Sequence, residues 1–178
     1  LSGQEYQTTA FLKERLEELG IRILESGLKT GLIAEIGSGQ PVVALRADID
    51  ALPILEQTNL PYQSQNSGVM HACGHDFHQT SLLGAAALLK EIEDQLEGTV
   101  RLIFQPAEEI SEGAFDVLAT GLLEDVQGII GFHNIPQLKA GQLALNAGAM
   151  MAGVEKFKVT VTGVSSHAAR PDLGVDTV

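Results

Sequence analysis

Four short apolar runs, "GLIAEIG", "PVVALR", "TVRLIF" and "GIIGF", govern what this chain can fold into. None has the clean apolar–polar alternation of a strand with one face in water. They are apolar on both faces, and segments of helical periodicity lie before and between them. "QEYQTTAFLKERLEELG" sets Phe11, Leu12, Leu16 and Leu19 on one stripe and stops at Gly20, a glycine in the helix-terminating C′ position. "HQTSLLGAAALLKEIEDQL" turns helical after Gly74 and stops at Gly98, and "AFDVLATGLLED" reads as a third helix. Strands buried on both sides and alternating with helices predict a largely buried sheet in an α/β sandwich. The first two runs, separated by "SGQ", read as a hairpin, and "GQLALN" reads as a further strand.

The texture changes at Val154. "VEKFKVTVTG" alternates strictly, with Phe157, Val159 and Val161 on one face and Lys156, Lys158 and Thr160 on the other. A strand with one wet face belongs to an antiparallel sheet, so a second domain is expected to start near Gly153. The boundaries read are 1–152 and 153–178. The second stretch looks cut in mid-domain, and a start on Leu1 suggests that a segment precedes it. Eleven basic against 23 acidic residues give a net charge of −12, which argues against a nucleic-acid partner. One cysteine excludes an internal disulfide. "LLGAAALL" is too short to span a bilayer and no signal-peptide pattern opens the chain, so a soluble cytoplasmic protein without membrane contact is expected.

The chemistry-bearing residues fall in four clusters: "RADIDALP", "HACGHDFH", "QPAEE" and "GFHNIP". Three follow directly on an apolar run and the fourth precedes a long helix. In open α/β sheets the carboxyl ends of the strands form the rim where ligands bind, so residues distant in sequence meet there. "HACGHDFH" holds three of the five histidines and the lone cysteine. Cys73 and His75, two apart, leave an extended backbone on one face roughly 7 Å apart. After a turn they can hold one metal ion, or two about 3.5–4 Å apart. Thiolate with imidazole suits zinc, and nickel, cobalt or manganese where carboxylates join. Glu108 and Glu109 end a buried run, where neighbouring side chains diverge: one can ligate a cation while the other takes a proton from activated water. Asp48 and Asp50 share a face and can orient imidazoles, as carboxylates do behind zinc-bound histidines. Each has a plainer alternative. Cys73 alone reads as a small buried hydrophobe, Glu108–Glu109 as an acidic loop, His133 as a core histidine, the aspartates as turn formers, and His167 as a surface residue.

With these clusters together, the chain resembles the M20 family of metallopeptidases, in its branch of aminoacylases, hippurate hydrolases, auxin-conjugate hydrolases and N-acetyldiaminopimelate deacetylases. The resemblance covers essentially the whole chain, through "LSGQEYQTTAFL", "LRADIDALPI", "MHACGHDFH", "FQPAEE", "GFHNIP" and "GVSSHAARPDLGVD". It implies a zinc-exopeptidase-like three-layer α/β sandwich carrying an inserted α+β lid domain, of which only the start is present. It implies that Cys73, His75, Glu109 and His133 ligate two divalent ions, Zn2+ or Mn2+, with Co2+ or Ni2+ as substitutes. Glu108 would be the general base, Asp50 a supporting carboxylate, and Asp76 and His78 supports of the signature loop. His167 would be the lid histidine that stabilises an oxyanion, often across a homodimer formed through the lid. Asp172 stands where the family usually has histidine, and a further histidine ligand is expected beyond Val178, so residues 1–178 alone are expected to be inactive. The implied activity is hydrolysis of the N-acyl amide bond of a small N-acyl-amino acid by metal-activated water. Two alternatives remain at this stage: a hydrolase with Cys73 as nucleophile and His71 or His75 as base, and a non-catalytic metal-binding module.

Overall fold

The computed structural model describes residues 1–155 and 157–177. The chain divides into two compact units, Leu1–Pro136 and Gln137–Val178. The first unit holds helices α1 (Tyr6–Glu18), α2 (His75–Glu91) and α3 (Gly113–Ala119). Its strands are β1 (Arg22–Leu24), β2 (Leu32–Ser38), β3 (Val42–Asp48), β4 (Gly98–Gln105) and β5 (Val126–Gly131). They form one sheet in the order β1-β2-β4-β3-β5. β2 is antiparallel to β1 and β4, while β3 is parallel to both β4 and β5.

The alternation of each strand divides its side chains between two apolar layers. Leu32, Ala34, Ile36, Ala47, Leu102 and Phe104 pack with Leu12 and Leu16 of α1 and with Leu82 and Ala86 of α2. On the other face Ile33, Ala44 and Ile103 pack with Val117 of α3. Helices on both faces make the three-layer sandwich expected of strands apolar on both sides. α1 ends as its glycine predicts: Gly20 has φ +66°, its N–H donates to the Glu17 carbonyl at 2.9 Å, and the Ile21 N–H donates to that of Leu16 at 2.9 Å. The apolar stripe is narrower than expected, because Phe11 is exposed and lies beneath the Arg15 guanidinium at 5.3 Å instead of in the core.

The hairpin expectation fails. β2 and β3 are neighbours in sequence but not in the sheet, because β4 lies between them. β4 is buried on both faces over Arg101–Gln105, so it needs a hydrogen-bonding neighbour on each edge, and β2 and β3 supply one each. The pairing also sets Glu35 directly opposite Arg101, whose guanidinium donates to it at 3.0 Å. β5 corrects a second expectation. It pairs only with β3 among the described residues, and Ile129 and Ile130 are more than half exposed instead of buried.

The second unit is built from loops, with a bridge between Val164 and Val175, one turn of 3-10 helix at Pro171–Leu173, and Arg170 donating twice to Asp172 at 3.0 and 2.9 Å. "GQLALN" and the alternating segment after Val154 form no ladder among the described residues. A strand exists only where a neighbour accepts and donates its backbone bonds, and alternation alone does not supply one. Lys156 lies outside the described residues. No described helix is long and apolar enough to cross a membrane.

Candidate metal centre

The parallel strands β3, β4 and β5 end on one rim, and each delivers a cluster there. β3 runs out through Asp48 to Asp50, and the Ile49 N–H still donates to the Gln105 carbonyl at 3.0 Å, so the two aspartates keep strand-like alternation. Both are 1% exposed. α2 starts at the same rim. Its N-cap, Gly74, has φ +88°, a conformation cheap only for glycine, and a Cβ there would collide with the Asn134 side chain. His75 and His78 lie three apart, hence on one helix face, and each meets one aspartate. His75 Nδ1 lies 3.3 Å from Asp50 Oδ1, and His78 Nδ1 lies 2.6 Å from Asp48 Oδ1.

These contacts fix which nitrogen of His75 faces the site. Burial raises the pKa of Asp50, but hydrogen bonds from His75, from the Ser2 hydroxyl and from the backbone at Glu109 and Glu108 outweigh it and hold the carboxyl well below its usual range. An ionised carboxylate only accepts, so Nδ1 carries a proton. Burial lowers the His75 pKa, but the Asp50 hydrogen bond and the neighbouring carboxylates outweigh it, and Nε2 presents its lone pair once a cation takes the place of its own proton. That lone pair points to Glu109 Oε1 at 3.7 Å, Asp48 Oδ2 at 3.7 Å and Glu108 Oε2 at 3.9 Å. His75 Nε2 and Glu109 Oε1 are both buried without a hydrogen-bond partner. Two lone-pair donors left buried and facing each other are costly unless something cationic lies between them. On the other side Cys73 Sγ lies 3.4 Å from His133 Nε2.

Cys73, His75 and His133 form one set whose donor atoms all lie within 4.8 Å of one another, and His75, Glu108 and Glu109 form another. His75 belongs to both. Sulfur, imidazole and carboxylate donors in two sets that share a ligand fit a pair of divalent cations. A third set, Asp48, His75 and His78, is closed by its own bonds. Asp48 also accepts from Arg46 Nη1 at 2.7 Å, and His78 Nε2 is in contact with Asn134, 2.5 Å from Oδ1 and 3.0 Å from the backbone nitrogen. His78 therefore ties the signature helix to the loop that carries His133.

Other expected site residues fall differently. Glu108 and Glu109 do not diverge: both carboxylates reach His75 Nε2, because β4 has ended at Gln105 and the chain turns through Ala107 at φ +49°. Asp76 is exposed, its carboxylate accepting from the Phe77 N–H in the first turn of α2, where the helix dipole favours an acid. His71 belongs to none of the three donor sets. His167 lies in the second unit, its Nδ1 accepting from the Ala169 N–H. Sequence reading missed Ser2, and it gave no role to Arg46, Gln105 and Asn134, although these lie within the clusters it singled out. Asn134 directly follows His133, and that adjacency was the available signal.

The electrostatics separate the groups further. Burial, then the Glu109 and Asp48 carboxylates, push the Glu108 carboxyl above its ordinary value. Burial and the same acidic neighbours push the Cys73 thiol up to about 11. At neutral pH roughly one Cys73 in ten thousand would then be thiolate without a cation.

The family profile described as "Peptidase family M20/M25/M40" matches residues 44–174. N-acetyl-L-cysteine deacetylase of Bacillus subtilis (strain 168) is 52% identical over 100% of this chain and 43% of its own length. IAA-amino acid hydrolase ILR1-like 5 of Arabidopsis thaliana is 46% identical over 100% of the chain and 41% of its own. A crystal structure described as a dinuclear metal-binding peptidase from the M20 family, from Bacillus subtilis, superposes with a TM-score of 0.76 at 57% identity, covering 78% of this chain and 39% of that one. The chain thus spans less than half the length of these relatives.

Proposed function

We propose, from the premise that this chain belongs to peptidase family M20/M25/M40, that it serves a metal-dependent amidohydrolase cleaving the N-acyl amide bond of small N-acyl-amino acids. The observation that carries the reading is the unpartnered pair His75 Nε2 and Glu109 Oε1, two buried donors 3.7 Å apart. In this proposal Cys73, His75, Glu109 and His133 hold two divalent ions, Zn2+ or Mn2+. Bound there, such ions would supply Lewis acidity to a water and to the scissile carbonyl.

The protein's own groups do the rest. Asp50 holds His75 in the Nδ1–H tautomer, and His78, bonded to Asp48 and in contact with Asn134, keeps α2 and the His133 loop in register. Glu108, with its pKa raised, takes a proton from the attacking water and passes it to the leaving amine nitrogen. Asp76 steadies the first turn of α2. His167 is assigned to the oxyanion, with residues 153–178 as the beginning of a lid and dimerisation domain and 1–152 as part of the catalytic domain. Names of relatives support the substrate class: a deacetylase of an N-acetyl amino acid and a hydrolase of an amino-acid conjugate.

The thiol-nucleophile reading gains nothing here. A thiol pushed up to about 11 by burial and carboxylates is poorly ionised and poorly nucleophilic. The deciding experiment uses the full-length protein and Glu108→Gln. Metal content should stay at the wild-type level while kcat on a panel of N-acyl-amino acids falls about 10²–10⁴-fold. Activity that survives both Glu108→Gln and chelation would refute the reading.

A further inference from the structure

We propose that Ser2–Glu5, the "SGQE" segment ahead of α1, is a positioning strap for the metal centre: the Ser2 hydroxyl sets the plane of the Asp50 carboxylate, and the Glu5 carboxylate sets the turn that carries Glu108 and Glu109. The metal-centre reading above is its foundation, since the strap acts only through His75 and the glutamates.

Asp50 can rotate about its terminal bond, and its orientation decides what His75 does. One of its oxygens, Oδ2, accepts both the Ser2 hydroxyl at 2.7 Å and the Glu109 N–H at 3.1 Å. Two donors on one oxygen fix the carboxylate plane and leave Oδ1 for His75 Nδ1. Ser2 is remote from Asp50 in sequence, so this is tertiary positioning and not local turn chemistry.

Glu5 makes the second attachment. It is 4% exposed, and its oxygens are taken by the Gly3 N–H at 2.9 Å, the Ala107 N–H at 2.8 Å and the Thr30 hydroxyl at 2.7 Å. A carboxylate so enclosed cannot reach a substrate. Its bond to Ala107 falls on the one residue that takes positive φ immediately before Glu108, a conformation that crowds the Cβ of a non-glycine residue and needs an external hold. Gly3 lies between the two attachments with φ +71°, and no atom lies within 4 Å of where its Cβ would stand. Its glycine therefore serves the bend that turns Ser2 and Glu5 inward.

The test uses the full-length protein stripped of metal and titrated with Co2+. Affinity is read by competition with a chromophoric chelator, and geometry by the visible Co2+ spectrum with its thiolate charge-transfer band. Ser2→Ala should weaken Co2+ binding about ten-fold and alter the visible bands, with the melting temperature of the metal-free protein nearly unmoved. Ser2→Thr, which keeps the hydroxyl, should restore both. Glu5→Met should weaken binding similarly, while Glu5→Gln, still an acceptor for Ala107, should stay near wild type. Wild-type affinity and spectrum in Ser2→Ala, or a loss that Ser2→Thr does not repair, overturns the strap. Glu109→Gln separates the two levels: if it binds Co2+ as tightly as wild type, the metal-centre reading has failed and not the strap alone.

Discussion

Replacing Asp50 by asparagine keeps the shape of the side chain and removes one acceptor, which turns the geometry around His75 into a measurable dilemma. In one orientation the amide oxygen still faces His75 Nδ1, and the NH2 takes the place of Oδ2. The Ser2 hydroxyl can reverse and accept from it, but the Glu109 N–H, now 3.1 Å from a donor, cannot. A buried N–H stranded in this way costs about 1–3 kcal/mol. In the other orientation the NH2 faces His75 and the imidazole must move its proton to Nε2. The lone pair now aimed at Glu109 Oε1 would become an N–H, and His75 would cease to be a ligand. The first route strains the Glu109 backbone and the second removes a donor, so metal affinity should fall about 10–100-fold, the range for losing a partner behind a ligating histidine. Chelator competition with Zn2+ or Co2+ on the full-length protein measures the affinity, and thermal unfolding of the metal-free form measures the cost to the fold. Asp50→Asn with wild-type metal affinity and unchanged unfolding would refute the tautomer argument, because one of the two costs must appear.

Other expectations are simpler to state. The Asp48 and Asp50 carboxyls are held below their unfolded values, so their stabilisation is fully present above about pH 4 and is lost as pH falls through the folded values; melting of the metal-free protein followed from about pH 5 down to about pH 2 should stay level at first and fall below about pH 4, with a shallower loss in Asp50→Asn. Cys73, raised from 9.0 to about 11, should react with iodoacetamide about a hundred-fold more slowly than an ordinary thiol in the metal-free protein at neutral pH; a normal rate would contradict its acidic surroundings. Leu16→Ala removes a fully buried side chain between α1 and the sheet and should cost about 2–5 kcal/mol in denaturant unfolding.

The centre was legible because its residues are chemically expensive and locally dense. Cys73, His75 and His78 fall within six positions, and each remaining cluster follows a strand that the apolar runs had already marked. Pairing was not legible. The "SGQ" between β2 and β3 looks like any tight turn, and nothing in its composition says that β4 will come between them. The divergence expected of Glu108 and Glu109 assumed an extended backbone, whereas the chain leaves β4 at Gln105 and bends at Ala107. Ser2 and Glu5 were unreadable for a different reason. Each acts through hydrogen bonds to partners dozens of residues away, and such bonds leave no periodicity.

The seating of β4 between its two flanking strands has a consequence for a chain emerging from the ribosome. β2 and β3 are synthesised early, yet neither bonds to the other, and the register of each is written against β4, as Ile33 against Ile103 and Leu45 against Leu102. β2 can take the short β1 on one edge, but its other edge and the whole of β3 must wait through α2 for the strand that joins them. Beyond the local β1–β2 pair, assembly of this sheet is long-range, which slows folding and leaves open edges exposed in the interval. A nascent chain halted before Gln105 should be a strong client for chaperones that hold extended apolar segments, and one released shortly after it should not.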